Sequence, residues 1–68
     1  MLDWRQHIES NPTVLYGKPV VKNTRVSADL ILEKLSAGET VDELLEAYPR
    51  VTREDVFAVL AFASEVGK

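Results

Sequence analysis

Eight consecutive residues near the C-terminus, Val56-Phe57-Ala58-Val59-Leu60-Ala61-Phe62-Ala63, carry no polar side chain. At about 100° per residue, a helix through them has no polar side for two turns. Val56, Leu60 and Ala63 fall on one side, with Val59; Ala58 and Phe62 point roughly the other way. A helix that is apolar all round is normally buried all round. The chain is only 68 residues long, and a domain of that size buries only about 60% of the surface its unfolded chain exposes. Either Trp4 or a hairpin covers the second side, or another molecule does. We expect the second: a dimer or partner interface made by Phe57, Ala58, Ala61 and Phe62.

The usual supports of very small domains are disulfides, metals and association. The chain has no cysteine and one histidine, His7, which leaves association. No metal and no cofactor is expected. The same inventory holds no Ser-His-Asp or Cys-His set for nucleophilic catalysis. Gly17-Lys18-Pro19 is not followed through to a phosphate-binding loop. The carboxylate pairs Asp29/Glu33 and Glu43/Glu46 fit solvated faces near helix N-termini. The expectation is a binding protein, with no enzymatic activity, no catalytic residues and no small-molecule substrate. No apolar run approaches the ~20 residues of a membrane helix. The opening Met1-Leu2-Asp3-Trp4-Arg5 lacks the layout of a signal peptide. A cytoplasmic protein without membrane contact is expected.

The chain reads as one domain, residues 1–68, divided at Ser27. Residues 1–26 form an arm and a short hairpin; residues 27–68 form a three-helix core. Before Ser27 the extended pieces are Thr13–Tyr16, then Pro19–Val21 and Arg25–Val26 around a turn at Lys22-Asn23-Thr24. Asn23 suits a left-handed turn position. Pro19, lacking an amide donor, suits an edge. Leu2, Trp4 and Ile8 are expected in a brief helical turn or strand packed on the body. After Ser27 the punctuation is stronger. Ser27 caps a helix from Ala28 to Ala37, and Gly38 stops it. Thr40-Val41-Asp42-Glu43 is a capping box for a second helix, whose apolar face is Val41, Leu44, Leu45 and Tyr48. Pro49 ends it. Thr52 caps a third helix with a core stripe of Val56, Val59, Leu60 and Ala63. The fold class is therefore mainly α: a three-helix, helix-turn-helix (homeodomain-like) core preceded by a short N-terminal β-hairpin.

Charge divides along the same lines. Residues 1–26 hold four Lys/Arg against two Asp/Glu, whereas residues 27–50 hold two against six. The net charge of −3 gives little general pull on phosphate, because nucleic-acid affinity comes largely from displaced counterions. Any partner or nucleic-acid contact is expected at the basic hairpin, Lys18, Lys22, Thr24 and Arg25, and at the polar start of the third helix, Thr52 and Arg53. Lysines on an edge strand also guard against aggregation. A base-reading helix presents polar side chains to base edges; here the third helix is polar only in its first turn.

Taken in order, Gly17-Lys18-Pro19-Val20-Val21 and Thr24-Arg25-Val26 resemble the hallmark G-K-P-x-[IV]-x-x-T-R-[IV] of the domain of unknown function 433 family. Ala37-Gly38, Tyr48-Pro49, Thr52 with Asp55-Val56, and Leu60-Ala61-Phe62-Ala63 extend the likeness over residues 8–65. Asn23 stands where that family usually has glycine. The resemblance implies a homeodomain-like or winged-helix-like fold. It further implies the antitoxin half of a type II toxin–antitoxin pair, neutralising a PIN-like nuclease toxin by direct binding and repressing its own operon. A homodimer, a PIN-like toxin and operator DNA are the expected partners, with Arg25 and Lys18 entering the toxin's acidic site. The alternative is a helix-turn-helix DNA-binding transcriptional regulator without a toxin partner.

Overall fold

The structure, a computed structural model, describes residues 3–13 and 15–66. It holds a two-stranded antiparallel sheet, β1 (Ile8–Ser10) and β2 (Pro19–Val21), and three helices, α1 (Ala28–Ser36), α2 (Val41–Ala47) and α3 (Arg53–Val66). Single 3-10 turns occur at Trp4–Gln6 and Leu15–Gly17.

Each helix begins, and α1 also ends, where its sequence provides a partner for unpaired backbone groups. The Ser27 hydroxyl accepts from the Leu30 amide at 3.0 Å. At the other end of α1, Gly38 takes φ 96, and the Gly38 and Glu39 amides donate back to the Leu35 and Lys34 carbonyls at 3.0 and 3.1 Å. This is the Schellman arrangement that a glycine permits. Thr40 and Glu43 form a reciprocal capping box on α2: each backbone amide donates to the other residue's side chain, at 2.9 and 3.1 Å. Thr52 and Asp55 do the same for α3, at 2.9 and 3.1 Å.

The core is built from Ile8 and Val21 on the sheet, Ala28 and Ile31 on α1, Leu44 on α2, Val51, and Val56, Ala58 and Val59 on α3. Directly opposed residues share a face of a sheet, so the pair Ile8↔Val21 turns inward together. Among the described residues no polar or charged side chain is buried. The interior is held by apolar packing alone.

Three expectations need correction. The strand Pro19–Val21 pairs with Ile8–Ser10, not with Arg25–Val26. The turn after β2 is present and Asn23 adopts φ 64, but the returning arm makes a single bridge, Val20↔Ser27. It has no room for more, because the chain enters α1 at Ala28. The Thr13–Tyr16 strand is absent from the described residues: Leu15–Gly17 is a 3-10 turn with Tyr16 at φ 57, and Val14 lies outside them. Finally, the buried arc of α3 is rotated from the expected stripe. Val56 and Val59 are inside, but Leu60 is 43% exposed and Ala58 is fully buried.

Ala58 is fully buried by the chain itself, which removes it from the expected intermolecular interface, whereas Phe62 is half-buried. Ala58 belongs to the core with Ile8 and Val21. Phe62 meets Trp4 edge to face, with ring centroids 5.0 Å apart and planes at 71°. The Trp4 indole N–H donates to the Glu65 carboxylate, and the Arg5 guanidinium lies 4.6 Å from the Trp4 ring centroid. His7 Nδ1 sits 2.8 Å from Asp55 Oδ1, tying the arm to the α3 cap. The Leu2 contribution expected here lies outside the described residues. Of the expected interface, Phe57 is half exposed and Ala61 and Phe62 are half-buried, and Leu60, expected in the core, adds exposed apolar surface beside Phe57 and Ala61.

Two expected outcomes follow from this packing. Leu44→Ala will cost about 2–5 kcal/mol, the range for a large core residue reduced to alanine; Leu60→Ala will cost about 0.5 kcal/mol or less. Urea midpoints of the two variants check the contrast. The hydrogen bonds from the Thr40 backbone and hydroxyl groups hold the Glu43 carboxyl below its usual value of 4.5. The folded state then binds that proton less readily than the unfolded chain. The stabilisation is full above the usual value and is lost as pH falls through the lowered one. The gap in urea midpoint between the parent and Glu43→Gln should therefore shrink between about pH 6 and about pH 3.

Candidate binding groove

Two short segments, far apart in the chain, converge on one open groove. The first is the turn after β2. The Val21 amide donates to the Val26 carbonyl at 2.9 Å, and the Thr24 amide to the Val21 carbonyl at 3.1 Å. The Thr24 hydroxyl locks the turn from inside: it donates to the Val21 carbonyl at 2.7 Å and accepts from the Val26 amide at 3.0 Å. The φ of 64 at Asn23 reverses the chain in a region that few residues other than glycine and asparagine visit readily.

The second segment is the end of α2. Proline at position 49 forces the preceding residue out of helical geometry, and Tyr48 has φ −126 and ψ 81. The Tyr48 carbonyl accepts from the Val51 amide at 2.9 Å, which bends the chain back toward the core at Val51. Ala47, Tyr48, Pro49 and Arg50 make one wall of the groove; Asn23, Thr24, Arg25 and Val26 make the other; Glu9 of β1 stands at its edge. The open groove holds about 550 Å³, within the size range of small-ligand sites.

The electrostatics of this groove differ from those of the rest of the surface. Elsewhere several cations are matched: Arg53 with Asp42 at 2.5 Å, Lys34 with Glu39 at 3.6 Å, and Arg5 with Asp3 and Glu65 at 3.8 Å; the exposed Lys18 and Lys22 make no ion pair among the described residues. Among the described residues Arg25 and Arg50 make no ion pair, and both are exposed. Two arginine forks beside an apolar wall of Val26, Ala47, Tyr48 and Pro49 can hold a carboxylate or phosphate bidentately.

The expected contact residues therefore separate. Thr24 and Arg25 line the groove, although the Thr24 hydroxyl is engaged within the turn. Lys18 and Lys22 are exposed but do not line it. Thr52 spends its hydroxyl on the Asp55 amide, and Arg53 is held by Asp42; the start of α3 is thus less available for phosphate than its composition suggests. Arg50, Glu9, Asn23 and Tyr48 are groove residues that reading along the chain did not single out as contacts. Tyr48-Pro49 is legible in the sequence as a helix end and as part of the family likeness, but not as a contact. Among the described residues no group of three or more His, Cys, Asp and Glu side chains could hold a metal ion.

The family described as "Protein of unknown function (DUF433)" matches residues 8–63, a span that includes every residue of the groove. An uncharacterized protein, y4eO, of Sinorhizobium fredii is 36% identical over 52 residues, which are 76% of this chain and 24% of that protein. The chain thus spans about a quarter of that relative's length. A crystal structure of a DUF433 member protein from Anabaena variabilis superposes with a TM-score of 0.82 at 29% identity, covering 85% of this chain and 57% of the other.

The backbone at Asn23 gives a direct test of the groove wall. Asn23→Gly should leave stability within about 0.5 kcal/mol, because glycine accepts positive φ without strain. Asn23→Val should cost about 1–2 kcal/mol, read from thermal or urea unfolding.

Proposed function

The chain belongs to the family of proteins of unknown function DUF433, and from that membership we propose that it acts by binding, as the antitoxin-like half of a type II toxin–antitoxin pair. In this reading it neutralises a PIN-like nuclease toxin by direct contact in the cytoplasm, and the complex represses its own operon. One observation carries the reading: the Thr24-Arg25-Val26 and Tyr48-Pro49 motifs meet in a groove that presents two unmatched arginines. An acidic nuclease site is a complementary partner for such a pair. A second copy is proposed to cover the apolar stripe of Phe57, Leu60 and Ala61, which a monomer leaves partly in water.

The helix-turn-helix outline of α2 and α3 favours a second reading, a DNA-binding regulator without a toxin partner. Against it, the exposed part of α3 offers Arg53 already paired with Asp42, then Glu54, Phe57 and Leu60, few of them suited to base edges.

Co-expression with the product of the adjacent reading frame, followed by nuclease assays, separates the two. Arg25→Ala/Arg50→Ala should weaken inhibition of the nuclease by about 30-fold or more, the range for truncating interfacial charge partners. Unchanged inhibition removes the toxin-docking role of the groove. A salt-sensitive gel shift on the protein's own promoter by the isolated chain, with no effect on the nuclease, favours the regulator.

A further inference from the structure

We propose that the groove is a seat for a short, extended acidic peptide segment of a partner protein, with one carboxylate between Arg25 and Arg50 and a neighbouring apolar side chain against Val26, Tyr48 and Pro49. This rests on the binding reading above and specifies what enters the site.

The composition of the groove selects among anions. A nucleic-acid backbone gains affinity by displacing counterions from many phosphates at once. This surface offers two unmatched arginines, and α2 beside them carries the exposed acids Asp42, Glu43 and Glu46 on a chain of net charge −3. A long polyanion meets repulsion on leaving the groove. A short segment with one or two carboxylates stays clear of those α2 acids and meets only Glu9. The apolar wall adds a second surface: Val26 and Tyr48 are half-buried and Pro49 is exposed, and an aliphatic side chain of a peptide fits against them beside its own carboxylate. A peptide that alternates acidic and aliphatic residues satisfies both surfaces, because an extended chain turns successive side chains to opposite sides.

Glu9 sharpens the inference. It lines the groove with the two arginines, yet among the described residues it pairs with neither. Its charge opposes that of an incoming carboxylate across a distance set by the groove. Neutralising it must strengthen the binding of an acidic segment and leave that of an uncharged one unchanged. A purely structural role for Glu9 does not give that sign.

The probe is a fluorescein-labelled hexapeptide, Gly-Asp-Leu-Glu-Leu-Gly, with its Asn/Gln counterpart, inorganic phosphate and a single-stranded oligonucleotide as comparators. Anisotropy titrations at low ionic strength use the full chain. The acidic peptide should bind saturably and the amide version at least about tenfold more weakly. Glu9→Gln should tighten the acidic peptide about threefold, and Arg25→Gln/Arg50→Gln should weaken it at least about tenfold. Amide chemical-shift changes should cluster at residues 23–26 and 47–50. All three side chains are exposed and unpaired, and circular dichroism of each variant confirms that the fold is kept. Equal binding of the amide peptide, tighter binding of the oligonucleotide at the same amides, or shifts confined to Phe57 and Leu60 would each overturn the peptide seat. So would loss of nuclease inhibition in Arg25→Ala/Arg50→Ala without any peptide binding, an outcome that leaves the proposed function standing. Peptide binding with unaffected inhibition supports the seat and removes the toxin from it.

Discussion

The unbroken apolar run of α3 has to be taken out of water on most of its circumference, and a short chain has few atoms with which to do it. Ile31 of α1 and Leu44 of α2 cover one arc; Ile8 and Val21 of the sheet and the Trp4 turn cover another. The second cover requires the N-terminal arm to return across the whole molecule. It is held there by contacts of several kinds: Trp4 on Phe62, the indole N–H on Glu65, Arg5 over the indole ring, and His7 on Asp55. Only Phe57 and Leu60, with Val66 at the end, stay substantially in water on this helix among large apolar residues.

The position of the groove is a consequence of that return. Once the arm lies along α3, β1 is fixed, and the inward pair Ile8↔Val21 sets the register of β2. The chain must then leave Val21 and reach Ser27 in five intervening residues, because α1 starts at Ala28. The tight turn pinned by Thr24 is the means, and it delivers Arg25 opposite the end of α2. Pro49 opens that end and delivers Arg50. Neither arginine is positioned by a charge partner; both are placed by backbone turns that serve the packing of the core.

Local pairing explains how an acidic chain keeps a basic patch. Asp42, Glu39, Glu65 and Asp55 are engaged with Arg53, Lys34, Arg5 and His7. Lys34–Glu39 and Arg53–Asp42 pair at helix ends, whereas Arg5–Glu65 and His7–Asp55 tie the N-terminal arm to α3. Among the described residues the cations left over are Lys18, Lys22 and Arg25 in the basic N-terminal third, and Arg50 just after α2. Exposed pairs of this kind contribute little to stability individually. Their larger consequence is on the field, since they leave Arg25 and Arg50 without ion-pair partners among the described residues.

What the sequence determined by itself was local. Caps, stops and turns depend on residues within four positions of each other, so Ser27, Gly38, Thr40, Pro49 and Thr52 announced the helix ends, and Asn23 its left-handed turn, without any knowledge of the rest. The family likeness followed from the same short motifs. Tertiary structure decided which strand Pro19–Val21 joined, which arc of α3 faced inward, and that Thr24-Arg25-Val26 and Tyr48-Pro49-Arg50 share a groove. Those outcomes hinge on contacts between residues well beyond one turn of chain from each other. A helix with no polar side has no periodicity to tell its inward arc from its outward one, so only the bodies packed against it could choose.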